Sequence, residues 1–226
     1  MAACRLIIAD DHPLFRDALR LTVLQTLPGA DIAEASSFEA LRAELAGGRE
    51  ADLVLLDLGM PGMQGLSGLL LLRAEFAAVP VAIISANEEP TTVRRALELG
   101  AVGYIPKSAA PAEIRRAVSA LLAGETWVPP ALGARLGVAD ESDDLAVRLA
   151  SLTPQQVRVL MMLSEGLLNK QIAYALDVSE ATVKAHVSGI LQKLGVDTRT
   201  QAVILAQRLA GFGAAPEAPR TTAARR

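Results

Sequence analysis

Short apolar runs recur through the first half of the chain, and each ends on polar or acidic residues. Leu6-Ile7-Ile8-Ala9 leads into Asp10-Asp11, Leu53-Val54-Leu55-Leu56 into Asp57, and Val81-Ala82-Ile83-Ile84 into Ser85. Brief unalternated runs of this kind suit strands buried on both faces of a parallel sheet. Strands are predicted at residues 5–10, 31–36, 52–57, 80–85 and 102–106, with helical patterns between them. Residues 92–99 stop at Gly100, a favoured residue after a helix end, and residues 111–122 open on Pro111 and close before Gly124. Five such units predict an α/β doubly wound parallel sheet.

The pattern changes twice further on. Residues 124–150 contain Gly124, Pro129, Pro130, Gly133 and Gly137, then an acidic patch at 140–144, and read as a linker with a short helix around 145–149. Trp127, the single tryptophan, lies in this stretch and is a candidate to pack the linker onto the first unit or to face a partner. From Leu152 the period is helical throughout. Thr153-Pro154 supplies a cap and a first-turn proline, and a helix runs from there towards Gly166. A short helix follows at 169–176, then a turn through Asp177, a residue type that tolerates the left-handed conformation. Ser179 caps a helix at 180–194, whose apolar stripe is Val183, Val187, Ile190, Leu191 and Leu194. A last helix at 200–209 has Ala202, Val203, Ala206 and Leu209 on one side, fit either to close its own core or to meet a second copy. Residues 214–226 are rich in Ala, Pro and Arg and are expected to be disordered.

Composition bounds these elements without naming them. A chain of 226 residues is long enough for two modest domains. No apolar stretch approaches the roughly 20 residues that a bilayer-spanning helix needs. No secretory signal is apparent, and one cysteine, Cys4, forms no internal disulfide, so a reducing cytoplasm is expected. The net charge of −3 is unevenly spread: −4 over residues 1–124, −3 over 125–150 and +4 over 151–226. An acidic front and a basic back suggest different partners for the two halves.

The strand ends carry candidate chemistry. In open α/β sheets ligands bind beyond the carboxyl ends of the strands, so Asp10, Asp11 and Asp57 are expected to share one crevice. Like charges so placed resist ionising together unless a cation offsets them, and a hard oxygen-liganded ion, Mg²⁺, meets that need. Ser85 and Lys107, from neighbouring strand ends, add a hydroxyl donor and a compact positive charge. His12 beside the acidic pair is read as a helix-start residue, since no second His or Cys lies near it in sequence.

Asp10-Asp11, Asp57-Leu58-Gly59-Met60-Pro61, Ser85-Ala86 and Tyr104-Ile105-Pro106-Lys107 together resemble the receiver domain of two-component response regulators, with its flavodoxin-like strand order 2-1-3-4-5. The resemblance implies that Asp57 accepts a phosphoryl group from a sensor histidine kinase. It implies that Asp11, Asp57 and the backbone carbonyl of Gly59 hold Mg²⁺, with Asp10 acting largely through water. Lys107 would hold the phosphoryl oxygens, and Ser85 and Tyr104 would couple the site to the surface. Two departures bear on chemistry. Gly59 offers no side chain where the family often has a larger residue, which leaves water open access to the phosphorylated carboxylate. Asn87, two positions after Ser85, is expected on the other side of the phosphoryl group. Pro106 lacks a strand donor and is tolerated if the fifth strand is an edge.

Leu152-Thr153-Pro154, the run 166–173, the run 179–186 and Leu194-Gly195-Val196 resemble the LuxR-type helix-turn-helix of NarL/FixJ-family regulators. This implies a DNA-binding motif at 169–188, with 180–194 as the recognition helix. Lys184, Ala185 and Ser188 match groove-facing positions, and Lys170, Thr182 and Lys193 are candidate phosphate contacts. Gln155-Gln156 replaces a common Arg-Glu, and Ser188 stands where many relatives carry a cation. Fewer cations predict a shallow salt dependence and weak binding by a monomer, offset by dimerisation.

The expected layout is a receiver at 1–124, a linker at 125–148, a DNA-binding domain at 149–212 and a tail at 213–226. The expected function is a cytoplasmic transcription regulator, switched at Asp57 and binding double-stranded promoter half-sites as a homodimer, with no membrane partner. An aspartate-dependent phosphatase is disfavoured, since Gly59 stands where those enzymes want a second Asp. The remaining alternative is a DNA-binding regulator whose receiver docks proteins without phosphorylation.

Overall fold

A computed structural model describes residues 4–61, 63, 65–134 and 142–210. Five strands, Arg5–Ala9 (β1), Asp31–Ala35 (β2), Leu53–Asp57 (β3), Val81–Ser85 (β4) and Gly103–Pro106 (β5), form one parallel sheet in the order β2-β1-β3-β4-β5. Helices Pro13–Thr26 (α1), Phe38–Ala46 (α2), Ser67–Glu75 (α3), Pro90–Glu98 (α4) and Pro111–Leu122 (α5) connect and follow them. Every residue of β1, β3, β4 and β5 is buried, as the unalternated apolar runs require.

Register brings the chemistry together. Ala9 pairs with Leu56, so Asp10 and Asp57 emerge side by side. Asp57 pairs with Ile84 and Ser85 with Pro106, which places Ser85 and Lys107 at the next two strand ends. The fourth helix begins at Pro90, two residues earlier than the apolar pattern suggests, because Asn87 Oδ1 accepts from the Glu89 amide and Pro90 fits the first turn.

Pro106 does lie on the terminal strand of the ladder. That edge is not bare. The linker residue Trp127 bridges in parallel to Gly103: its amide donates to the Val102 carbonyl, and its carbonyl accepts from the Tyr104 amide at 2.8 Å. A short helix, Pro130–Gly133 (α6), follows.

Helix Ser142–Ala150 (α7) extends the short linker helix expected around 145–149. The last unit comprises Pro154–Ser164 (α8), Asn169–Ala175 (α9), Glu180–Leu194 (α10) and Arg199–Ala210 (α11). Thr153 and Gln156 make a reciprocal capping box on α8, and Ser179 caps α10. Asp177 turns with φ 51, and Gly195 ends α10 with φ 66. Ala202 and Ala206 are fully buried, so that part of the α11 stripe closes the domain's own core. Residues 211–226, and with them the expected tail, lie outside the described residues.

The two units touch. Six consecutive positions of α3, Ser67 to Leu72, are buried, more than one amphipathic face can supply. The reason is packing on a second side, where α3 meets α7 and α8 while α4 meets α7. Glu75 at the end of α3 pairs with Arg42 of α2 at 2.7 Å and also with Arg158 of α8.

A Cβ at Gly103 would stand 2.8 Å from both the Trp127 carbonyl and Leu121 Cδ2. Gly103→Val is therefore expected to push the linker strand off β5. The cost should be about 1–3 kcal/mol, as for other overpacked sites, seen as a lower unfolding midpoint with a red-shifted emission of the single tryptophan.

Candidate functional site

Asp10 and Asp57 are buried at their strand ends, with exposures of 0% and 3%. Burying carboxylates is costly unless they are paired, and Lys107 supplies the pair. Its Nζ lies 2.7 Å from Asp10 Oδ2 and 2.9 Å from Asp57 Oδ2. The ammonium is fixed from the backbone as well, since the Lys107 amide donates to the Ser85 carbonyl at 2.8 Å. The Phe15 ring lies 4.9 Å from Nζ and gives the cation an aromatic face. Burial pulls the Lys107 pKa down, but hydrogen bonds and charge from Asp10 and Asp57 outweigh it and raise it above the ordinary lysine value. Pairing thus persists through the neutral range, and its stabilisation is lost only as alkaline pH passes that raised pKa.

One ammonium does not balance three carboxylates. Asp11 joins the cluster, with its Oδ1 2.6 Å from His12 Nδ1. One carboxylate oxygen from each of Asp10, Asp11 and Asp57 lies within 4.8 Å of the others. Excess negative charge and clustered carboxylate oxygens fit a hard divalent cation such as Mg²⁺. Gly59 adjoins Asp57, and a Cβ there would come 3.4 Å from Asp57 Oδ2. A side chain at position 59 would thus stand in van der Waals contact with that oxygen.

Ser85 and Tyr104 are both buried near this point. Ser85 Oγ accepts from the Asn87 amide at 3.2 Å, and the Tyr104 hydroxyl donates to the Asn87 carbonyl at 2.5 Å. Burial, offset in part by Ser85 and reinforced by the charges of Glu88 and Asp57, raises the Tyr104 pKa, so the hydroxyl remains a donor. The Asn87 side chain bonds the Glu89 amide and Thr92 Oγ1 and so builds the turn that starts α4. A cavity of about 330 Å³ opens beside the cluster, lined by His12, Leu14, Phe15, Ala86 and Lys107.

In the second unit, Lys170, Lys184, Ala185 and Ser188 are exposed. Thr182 is half-buried and shares a hydrogen bond with the Ser179 hydroxyl at 2.9 Å. Lys193 is engaged inside the fold, donating to the Ser151 carbonyl at 2.7 Å and to Gln156 Oε1 at 2.9 Å. Gln156 therefore ties the start of α8 to the end of α10. Arg148 of α7 donates to the Leu194 carbonyl at the α10 C-terminus. Sequence reasoning missed Phe15, Glu75, Arg148 and Arg158, whose partners lie far away along the chain and leave no local pattern.

Comparison with known proteins agrees with this geometry. Residues 6–119 match the response regulator receiver domain, and residues 150–206 match the LuxR family of bacterial regulatory proteins. The glycerol metabolism activator of Pseudomonas putida is 39% identical over 208 residues, covering 89% of this chain and 94% of that one. The nitrate/nitrite response regulator NarL of Escherichia coli K12 is 33% identical over 201 residues, covering 88% and 93%. Among solved structures, RcsB of Salmonella enterica serovar Typhimurium, bound to promoter rprA in the presence of phosphomimetic BeF3⁻, aligns with a TM-score of 0.55 at 26% identity. That alignment covers 93% of this chain and all of the other. With a receiver fold, an acidic cluster at its strand ends and a LuxR-type helical unit in one chain, this protein belongs to the two-component response regulators, a family of DNA-binding transcription regulators.

Proposed function

We propose that Asp57 is the phosphoacceptor, that a sensor histidine kinase in the cytoplasm is the donor, and that the phosphorylated chain binds paired promoter half-sites as a homodimer. The observation that carries the reading is the Lys107 ammonium bridging Asp10 and Asp57 at adjacent strand ends. In the transfer, an Asp57 oxygen attacks the phosphorus of a phosphohistidine; the P–N bond breaks and the imidazole leaves as an acyl phosphate forms. Lys107 neutralises phosphoryl oxygens as they approach. Mg²⁺, held by Asp11, Asp57 and the Gly59 carbonyl with Asp10 nearby, would supply charge balance for the dianionic group. The cavity beside Lys107 and Phe15 gives a donor ring a path to the acceptor. Ser85 and Tyr104, already linked through Asn87, would carry the added charge to β5 and the linker strand paired with it.

Domain limits consistent with this division are 1–124 for the receiver, 125–148 for the linker and 149–212 for the DNA reader. The receiver packs on α7 and α8, while Lys184, Ala185 and Ser188 remain exposed. Control by assembly into dimers fits this better than control by covering the recognition helix. Lys170 and Thr182 are further candidate backbone contacts. Lys193 would reach phosphate only by giving up its bonds to Ser151 and Gln156.

Several outcomes are expected. Intact-mass measurement after incubation with a phosphodonor and Mg²⁺ should show one added phosphoryl group on the wild type and none on Asp57→Ala; an unmodified wild type overturns the reading. Gly59→Met should shade the acceptor from water and lengthen the acyl phosphate half-life, whereas equal decay rates would remove any role for position 59. Lys107→Met strands two buried carboxylates, a loss on the order of 3 kcal/mol for a broken buried pair. Thermal unfolding should show that loss, with partial recovery on adding Mg²⁺. Lys170→Ala should weaken promoter binding and reduce the salt slope of log affinity by about one, as for one lost phosphate contact, measured by fluorescence anisotropy across a salt series.

A further inference from the structure

His12 does stand at the start of α1, with extended backbone at the N-cap. Its ring, however, is turned towards the acidic cluster. The His12 amide donates to Asp10 Oδ1 at 2.8 Å, which holds the residue over the carboxylates. Nδ1 lies 2.6 Å from Asp11 Oδ1 and 3.4 Å from Asp10 Oδ1. At these separations the ring nitrogen faces the same point as the carboxylate oxygens of Asp10, Asp11 and Asp57. Donor atoms that converge in this way can serve as ligands of one ion. Ligand atoms of Asp10, Asp11, His12 and Asp57 all fall within 4.8 Å of one another.

We propose that His12 Nδ1 is a ligand of the cation at the phosphoacceptor, making the centre a mixed nitrogen–oxygen site that takes Mn²⁺ in preference to Mg²⁺. The inference rests on the proposed acidic cation centre and sharpens its chemistry. Mg²⁺ prefers oxygen donors and gains little from imidazole, whereas affinity of nitrogen-containing sites rises along the first-row divalent metals from Mn²⁺ onwards. The ring is 68% exposed, and its main chain is anchored by the helix start and by Asp10. The chain therefore presents the imidazole at the rim of the carboxylate cluster.

The test uses the full-length protein with Mn²⁺ alone, read by pulsed electron paramagnetic resonance. Wild type should show hyperfine coupling to one ¹⁴N nucleus. His12→Gln should retain bound Mn²⁺ without that coupling and should lose at least ~10-fold in its Mn²⁺-over-Mg²⁺ preference, the scale on which a lost partner at a metal site registers. Asp11→Asn should abolish the coupling, which separates this centre from the chain's second histidine, His186. Mn²⁺ bound in an Asp11-dependent way without ¹⁴N coupling, or with the same preference in His12→Gln, overturns the nitrogen ligand while the carboxylate centre stands. Absence of any Asp11-dependent Mn²⁺ binding overturns both.

Discussion

The Lys107 ammonium, held 2.7 Å from Asp10 and 2.9 Å from Asp57, is the interaction on which the rest of this receiver depends. Two carboxylates sit buried at neighbouring strand ends of the sheet, where water cannot reach them freely. Without a cation they would repel each other and resist ionising. The sheet supplies that cation from its far edge, two strands beyond Asp57. It arrives at the right height only because Asp57 pairs with Ile84 and Ser85 with Pro106. A slip of one residue at either pairing would turn every side chain to the other face. The apolar strand interiors, which fix register by burial, therefore also fix the charge geometry.

That geometry is tied outward through main chain rather than side chains. Lys107 follows β5, whose Tyr104 amide donates to the Trp127 carbonyl, so the linker is paired to the strand that carries the cation. Beyond it, α7 packs on α3 and α4 and also on α10. Arg148 of α7 reaches the carbonyl of Leu194 at the end of α10, where Gly195 adopts the left-handed conformation. Glu75 provides a second route by joining α2 and α3 to Arg158 of α8. The receiver and the helical unit thus meet through apolar packing of α3 on α7 and α8, flanked by helix ends and half-buried ion pairs.

Much of this was legible in sequence because the signals were local. Apolar runs ending in acids marked β1 and β3, a third run ending on Ser85 marked β4, and Thr153-Pro154, Ser179 and Asp177 marked caps and a turn that the structure reproduces. The start of α4 was misplaced by two residues because it depends on the Asn87 side chain folding back onto Glu89. Lys193 illustrates the other limit. A lysine on a recognition helix reads as a phosphate contact, but whether Nζ is free depends on Gln156, 37 residues away. The Leu-rich run of α3 carries no sign of a second packing partner, which alone explains why six successive positions are buried.

The commitment of Lys193 has a consequence for recognition. On α10 the other lysine is Lys184, which is exposed; Lys193 is bonded to Ser151 and Gln156. Ala185 and Ser188 beside Lys184 carry no charge. Non-specific affinity for DNA grows with the number of phosphates neutralised, so one helical unit of this kind is a weak ligand for a duplex. Two units held together contribute twice the contacts, and the second binds from a high effective concentration. On the proposed reading, a switch that governs pairing then governs occupancy without altering the reading face, which agrees with a receiver seated on α7 and α8 and a recognition helix left open.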